Sequence, residues 1–161
     1  MDAESIVQLA EPRETVQVYF ADGRIYEAPV GTTLETYIKA IDFDLPAPIM
    51  AANIHGQLRE LTYHIVIDSD VTPITIADSD GMRIYRRSLA FLMITVAQEL
   101  YPGVQVIIDY ALNFGGFYCE VRGRAPLMRE ELERIENRMR ELVDADIPIV
   151  KKRVPLEEAL S

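Results

Sequence analysis

The apolar period of the chain changes at Asp80-Gly81, and no other feature constrains the fold as much. Upstream, apolar residues alternate in short runs, as in strands; downstream, they return every three or four positions, as in helices. Val16, Val18 and Phe20 alternate with Gln17 and Tyr19, and Asp22-Gly23 precedes Arg24 to Ala28. This predicts an antiparallel hairpin closed by a tight primed turn. Thr32 with Glu35 three residues later gives a capping-box pattern, and Leu34, Tyr37, Ile38 and Ile41 share one helical face that Pro46 and Pro48 bring to an end. Ile49 to Ile54 and Gln57 to Leu61 flank His55-Gly56 as a second hairpin, with Thr72 to Ala77 as a fifth strand. These elements predict a small α+β roll, preceded by a loose or weakly docked tail, residues 1–14.

Beyond the break, Met82, Tyr85, Leu89, Leu92, Val96 and Leu100 form one stripe of a long helix that stops at Pro102-Gly103. Val104, Val106 and Ile108 alternate, and Phe117 to Val121 follows Gly115-Gly116, so a sheet is expected to pack against that helix. A second helix is expected from Met128 to Ala145, with Leu132, Ile135, Met139 and Leu142 inward and Glu130/Arg134 and Glu136/Arg140 as surface pairs. Ile147 to Arg153 then reads as a returning strand. Pro155 followed by Leu156-Glu157-Glu158-Ala159-Leu160 reads as a helix start without a stop, from which the natural chain is expected to continue beyond Ser161.

Composition narrows the function classes. Sixteen Lys and Arg against 26 Asp and Glu give a formal charge of -10, which repels phosphates, so nucleic acid is not the expected partner. The run Leu89 to Ile94 falls far short of the roughly 18 apolar residues that cross a bilayer, and the acidic start is unlike a signal peptide, so a cytoplasmic location without membrane contact is expected. One cysteine, Cys119, and two histidines, His55 and His64, provide no zinc spacing, and no metal is expected.

The stretches Asp22-Gly23, Gly31-Thr32-Thr33 and Ala52-Asn53-Ile54-His55-Gly56-Gln57-Leu58-Arg59-Glu60-Leu61 resemble the TGS domain, a ubiquitin-like β-grasp domain of threonyl-tRNA synthetases, some GTPases and stringent-response enzymes. Residues 15–78 are expected to form it. Residues 79–161 resemble the domain that follows TGS in threonyl-tRNA synthetase, where mischarged seryl-tRNA is hydrolysed. That likeness is carried by Arg86-Arg87-Ser88-Leu89-Ala90-Phe91-Leu92, Glu99-Leu100-Tyr101-Pro102, Ile108-Asp109-Tyr110, Gly116-Phe117-Tyr118 and Ile149-Val150-Lys151-Lys152-Arg153-Val154. The resemblance implies an α+β domain of sheet and helices, incomplete at its C-terminal end. In that family the long helix carries two histidines four residues apart; the matching positions here are Arg87 and Phe91. A guanidinium does not act as a base near neutral pH and a phenyl ring has no proton to move, so no catalytic residue is assigned. Phe91 is expected to be covered by another element and Arg87 to pair with an acid.

Asp109-Tyr110-Ala111-Leu112, Phe114-Gly115-Gly116-Phe117-Tyr118-Cys119 and Val154-Pro155-Leu156-Glu157-Glu158-Ala159 further resemble the front region of bacterial uridine-kinase-like proteins. That resemblance implies a downstream kinase domain as partner in the same chain, with ATP and Mg²⁺ bound there. No GxxxxGK(S/T) loop occurs in these residues, so no cofactor is expected in this chain itself. Arg83, Arg86 and Arg87, a basic cluster on the long helix, are the first candidates for contact with a small-molecule ligand; Asp109, Tyr110, Asn113 and Tyr118, which fall where the related family lines its cleft, are the second. Three readings stand: a non-catalytic accessory or regulatory region of a uridine-kinase-like protein, an aminoacyl-tRNA editing hydrolase, and a TGS-based RNA- or nucleotide-binding module.

Overall fold

The computed structural model describes residues 9–42, 44–45, 47–112 and 116–159, in two compact units, Met1–Arg86 and Arg87–Ser161. The first unit is built on β1 (Thr15–Phe20), β2 (Ile25–Pro29), α1 (Leu34–Ala40), β3 (Ile49–Ile54), β4 (Gln57–Arg59) and β5 (Ser69–Thr75). The strands lie in the order β2-β1-β5-β3-β4, with β1 and β5 parallel at the centre and the other pairs antiparallel. This order, with α1 packed on one face, is the expected β-grasp arrangement. Alternation along β1 sends Val16, Val18 and Phe20 into the core, where Leu34, Tyr37 and Ile41 of the α1 face meet Ile54, Ile65 and Val71. Each such side chain contributes roughly 1.5–3 kcal/mol by leaving water.

Several boundaries differ from the sequence reading. The first hairpin closes through three residues, Ala21-Asp22-Gly23, with Gly23 at φ 85° and its amide on Phe20 O at 2.9 Å, so the two-residue primed turn expected there is absent. That turn occurs instead at His55-Gly56, where φ is 50° and 77° between the paired residues Ile54 and Gln57. The N-cap of α1 is Thr33, whose side chain accepts from Thr36 N; Thr32 instead donates its hydroxyl to Pro29 O at 2.8 Å. The helix ends at Ile41, ahead of both prolines. The expected tail is tied at its end, since Arg13 pairs with Asp68 and Glu14 O accepts from Val30 N.

The fifth strand starts at Ser69 and stops at Thr75, where Asp78 turns the chain. The Asp78 carboxylate accepts from Thr75 N at 2.7 Å and from Thr75 Oγ1 at 2.8 Å, and Asp78 O accepts the Met82 amide at 2.9 Å. α2 (Ser79–Leu100) therefore starts three residues before Met82. Gly81 is buried against this turn: a Cβ there would stand 1.9 Å from Thr75 O.

The second unit contains the C-terminal part of α2, then β6 (Gln105–Ala111), β7 (Phe117–Arg122), α3 (Arg129–Asp144) and the short α4 (Leu156–Ala159). Its core is Val96, Ala97 and Ile135, packed with Leu92, Val106, Met139 and Leu142. The stripe expected along α2 is buried only here; Leu89 and Leu100 are exposed, as is Tyr85 in the first unit, because the described sheet of this unit has two strands and covers one end of the helix. Leu132 of α3, expected inward, is 52% exposed. Glu136 and Arg140 pair at 2.6 Å, whereas Arg129 takes Glu133 at 3.1 Å in place of the expected Glu130/Arg134 pair. Glu131 reaches back to the Met128 amide at 2.8 Å, fixing the start of α3. The strand expected over Ile147 to Arg153 does not form. Pro148 lacks an amide donor, neither edge of the β6–β7 sheet takes the segment as a partner, and Ile149 is 66% exposed.

Gly81→Ala forces a backbone shift where Gly56→Ala meets open space, so the first is expected to cost about 3 kcal/mol and the second about 1 kcal/mol in urea unfolding. Equal losses would remove the role assigned to the close approach. The Thr75 amide and hydroxyl hold the Asp78 carboxyl below its usual range, and the Gln17 amide and Arg13 do the same for Asp68. Depressed carboxylates contribute stability that is present above their unfolded range and lost on acidification, so the urea midpoint should fall between about pH 5 and pH 3, less steeply in Asp78→Asn.

Candidate functional site

The geometry of the second unit rests on a bulge. Ile108 pairs with Cys119, but the next pair is Tyr110 with Tyr118, so Asp109 is an extra residue on β6. Val106, Ile108, Cys119 and Val121 share the half-buried face. The extra residue turns Tyr110 to the opposite face, where simple alternation would have kept it beside Ile108. There the Tyr110 and Tyr118 rings stack, with centroids 5.1 Å apart and planes at 11°, both about half exposed. Asp109 is exposed beside them. Of the second candidate group the structure thus brings together Tyr110 and Tyr118; Asn113 lies outside the described residues.

The basic candidates occupy successive turns of α2. Arg83 is exposed and pairs with Asp80 at 3.3 Å; Arg86 is half-buried. Arg87, the first residue of the second unit, is exposed and has no acid partner among the described residues, contrary to the expected pairing. Phe91, one turn further on, is not covered either: it is 57% exposed. Its ring forms one wall of an apolar cleft of about 470 Å³, completed by Thr95, Leu142, Val143, Ile147 and Val150 among others. This cleft was missed in the sequence because its far wall, residues 147–150, carries a strand-like pattern yet has no strand to pair with. Asp146 also lines it.

Residues 87–161 contain no histidine, and no group of three or more His, Cys, Asp or Glu suited to a metal occurs among the described residues. Burial pushes the Cys119 thiol up, away from the thiolate a nucleophile needs, and its sulfur lies 4.0 Å from Phe117 O. In the first unit His55 is exposed in its turn, and His64 Nδ1 lies 2.7 Å from Gly31 O. No described helix is long and apolar enough to cross a membrane.

No protein-family model matches the chain. Among curated proteins, a threonine–tRNA ligase of Rhodospirillum rubrum is 37% identical over 148 residues, covering 91% of this chain and 23% of the relative. Threonine–tRNA ligases of Anaeromyxobacter dehalogenans and Hyphomonas neptunium are 33% and 32% identical, each over about nine-tenths of this chain. The chain spans less than a quarter of the length of these relatives. Across both units, therefore, this α+β chain is similar to part of the threonine–tRNA ligases.

Proposed function

We propose that the chain is a TGS and editing-like region of threonyl-tRNA-synthetase type that holds an aminoacyl-tRNA end or a related small ligand without hydrolysing it. The observation that carries this reading is the pair Arg87 and Phe91. Two imidazoles at i and i+4 can activate water from one helical face; an unpaired guanidinium and a ring in a cleft wall instead offer an anion contact and an apolar contact. The relatives support a tRNA-directed origin, in agreement with the second and third readings of the sequence more than with the first. They lend no support to a uridine-kinase-like parent. That narrower reading, with ATP and Mg²⁺ at a downstream domain, stands on the resemblance of residues 109–119 and 154–159 and would be carried by a GxxxxGK(S/T) loop encoded after Ser161.

The charge distribution supports placing any RNA contact on the second unit. Residues 1–86 carry six Lys and Arg against fourteen Asp and Glu, whereas residues 87–161 carry ten against twelve. Seryl-tRNA mixed with the chain should decay at its spontaneous rate, since removing general-base help forfeits about 10²–10⁴-fold. Fluorescence anisotropy should detect tRNA binding at low salt that Arg87→Gln weakens and added salt removes. Accelerated deacylation would overturn the non-hydrolytic reading, and absence of binding at low salt would overturn the tRNA-directed one.

A further inference from the structure

The cleft walled by Phe91 and residues 147–150 is apolar within and cationic at its rim. Inside, Phe91, Leu142, Val143, Ile147 and Val150 present hydrocarbon, and the Thr95 hydroxyl already donates to Phe91 O at 2.9 Å. Such a lining gains by excluding water and offers a charged group no partner, so a ligand's charge has to be met at the edge. Two segments supply that edge. On α2, Arg87 stands one helical turn before Phe91, on the same face. Beyond Val150 the chain runs directly into Lys151-Lys152-Arg153, all exposed.

The acids nearby do not cancel this charge. Glu141 pairs with Arg138 at 3.0 Å, and Arg140 takes its ion pair from Glu136 and a weaker attraction from Asp144. Asp146 is the one acid that lines the cleft. Against it, Arg87, Lys152 and Arg153 have no acid partner among the described residues. These three cations outweigh Asp146 together with the half charge at the C-terminal end of α3. The volume, about 470 Å³, lies within the roughly 300–1,000 Å³ of small-molecule sites. We propose that this cleft binds a monocarboxylate carried on an apolar body, its hydrocarbon against Phe91 and Val150 and its carboxylate at the rim supplied by Arg87 and residues 151–153. The site shares Arg87 and Phe91 with the tRNA-directed reading but does not rest on it.

The test is a titration of the ¹⁵N-labelled 161-residue chain with 4-phenylbutyrate, using 4-phenylbutanol and 4-phenylbutylammonium as neutral and cationic analogues. The acid should produce saturable shifts at Thr95, Ile147, Ile149 and Val150, and bind about two- to fivefold tighter than the alcohol, the yield of an exposed ion pair. The ammonium should bind weakest. Substituting Arg87→Gln, Lys152→Gln and Arg153→Gln together should abolish the preference for the acid while the alcohol still binds. Asp146→Asn, which removes the opposing charge at nearly constant shape, should tighten phenylbutyrate about twofold and leave the alcohol unchanged. Phe91→Ala should weaken all three compounds. Equal affinities, a preference for the ammonium, shifts confined to other residues, no saturation, or an acid preference that survives the triple substitution would overturn the proposal. A chain that binds tRNA but not phenylbutyrate would remove this site alone and leave the tRNA-directed reading in place.

Discussion

The close approach of Gly81 to the Thr75 carbonyl governs how the sheet of the first unit passes into a helix. With hydrogen at this position, the Asp78 carboxylate can turn back onto the Thr75 amide and hydroxyl while its own carbonyl receives the first helical amide. One residue thus terminates a strand and opens a helix. The same geometry explains why β5 ends short of Ala77 and why α2 begins at Ser79: an extended chain past Thr75 would have to release both bonds to Asp78. The pattern of apolar residues contains no trace of this, since Ile76 continues from Ile74 the alternation that the turn interrupts.

The order and type of the elements were legible because each carries a period and a stop. Val16, Val18 and Phe20 could only be a half-buried strand, and Leu34, Tyr37 and Ile41 only a helix face. What could not be read was which faces would find a cover. Leu89 and Leu132 fit their stripes as well as Val96 and Ile135 do, yet only the latter meet a packing partner. The segment 147–153 shows the same limit: strand propensity yields a strand only where an edge with free amides and carbonyls is presented to it.

The candidate site was partly legible for a related reason. That neither Arg87 nor Phe91 can serve as a general base was legible at once, because it depends on side-chain chemistry alone. The expectation that Phe91 would be covered depended on packing, and the cleft contradicts it. Tyr110 illustrates a subtler failure. Counting by twos from Val104 sends it inward, but Asp109 adds a residue to one strand only, so every side chain after it changes face and the two tyrosines stack outside. A bulge has no reliable signature in one strand, because it is a mismatch between two.

Net charge, too, carries less information as a sum than as a distribution. A value of -10 argues against phosphate binding only if the charge is spread evenly, and here it is concentrated in residues 1–86. With screening over about 8 Å at physiological salt, an acidic surface repels what approaches it and little else. The cations of residues 87–161 divide further. Arg124, Arg129, Arg138 and Arg140 are engaged by acids on or beside α3, which neutralises that surface locally. Arg87 is not so engaged, and it precedes the cleft wall formed by Phe91 by one helical turn. At the position that matches one of the two histidines in the resemblance to the editing domain, Arg87 thus stands without an acid partner among the described residues, one helical turn from an apolar surface.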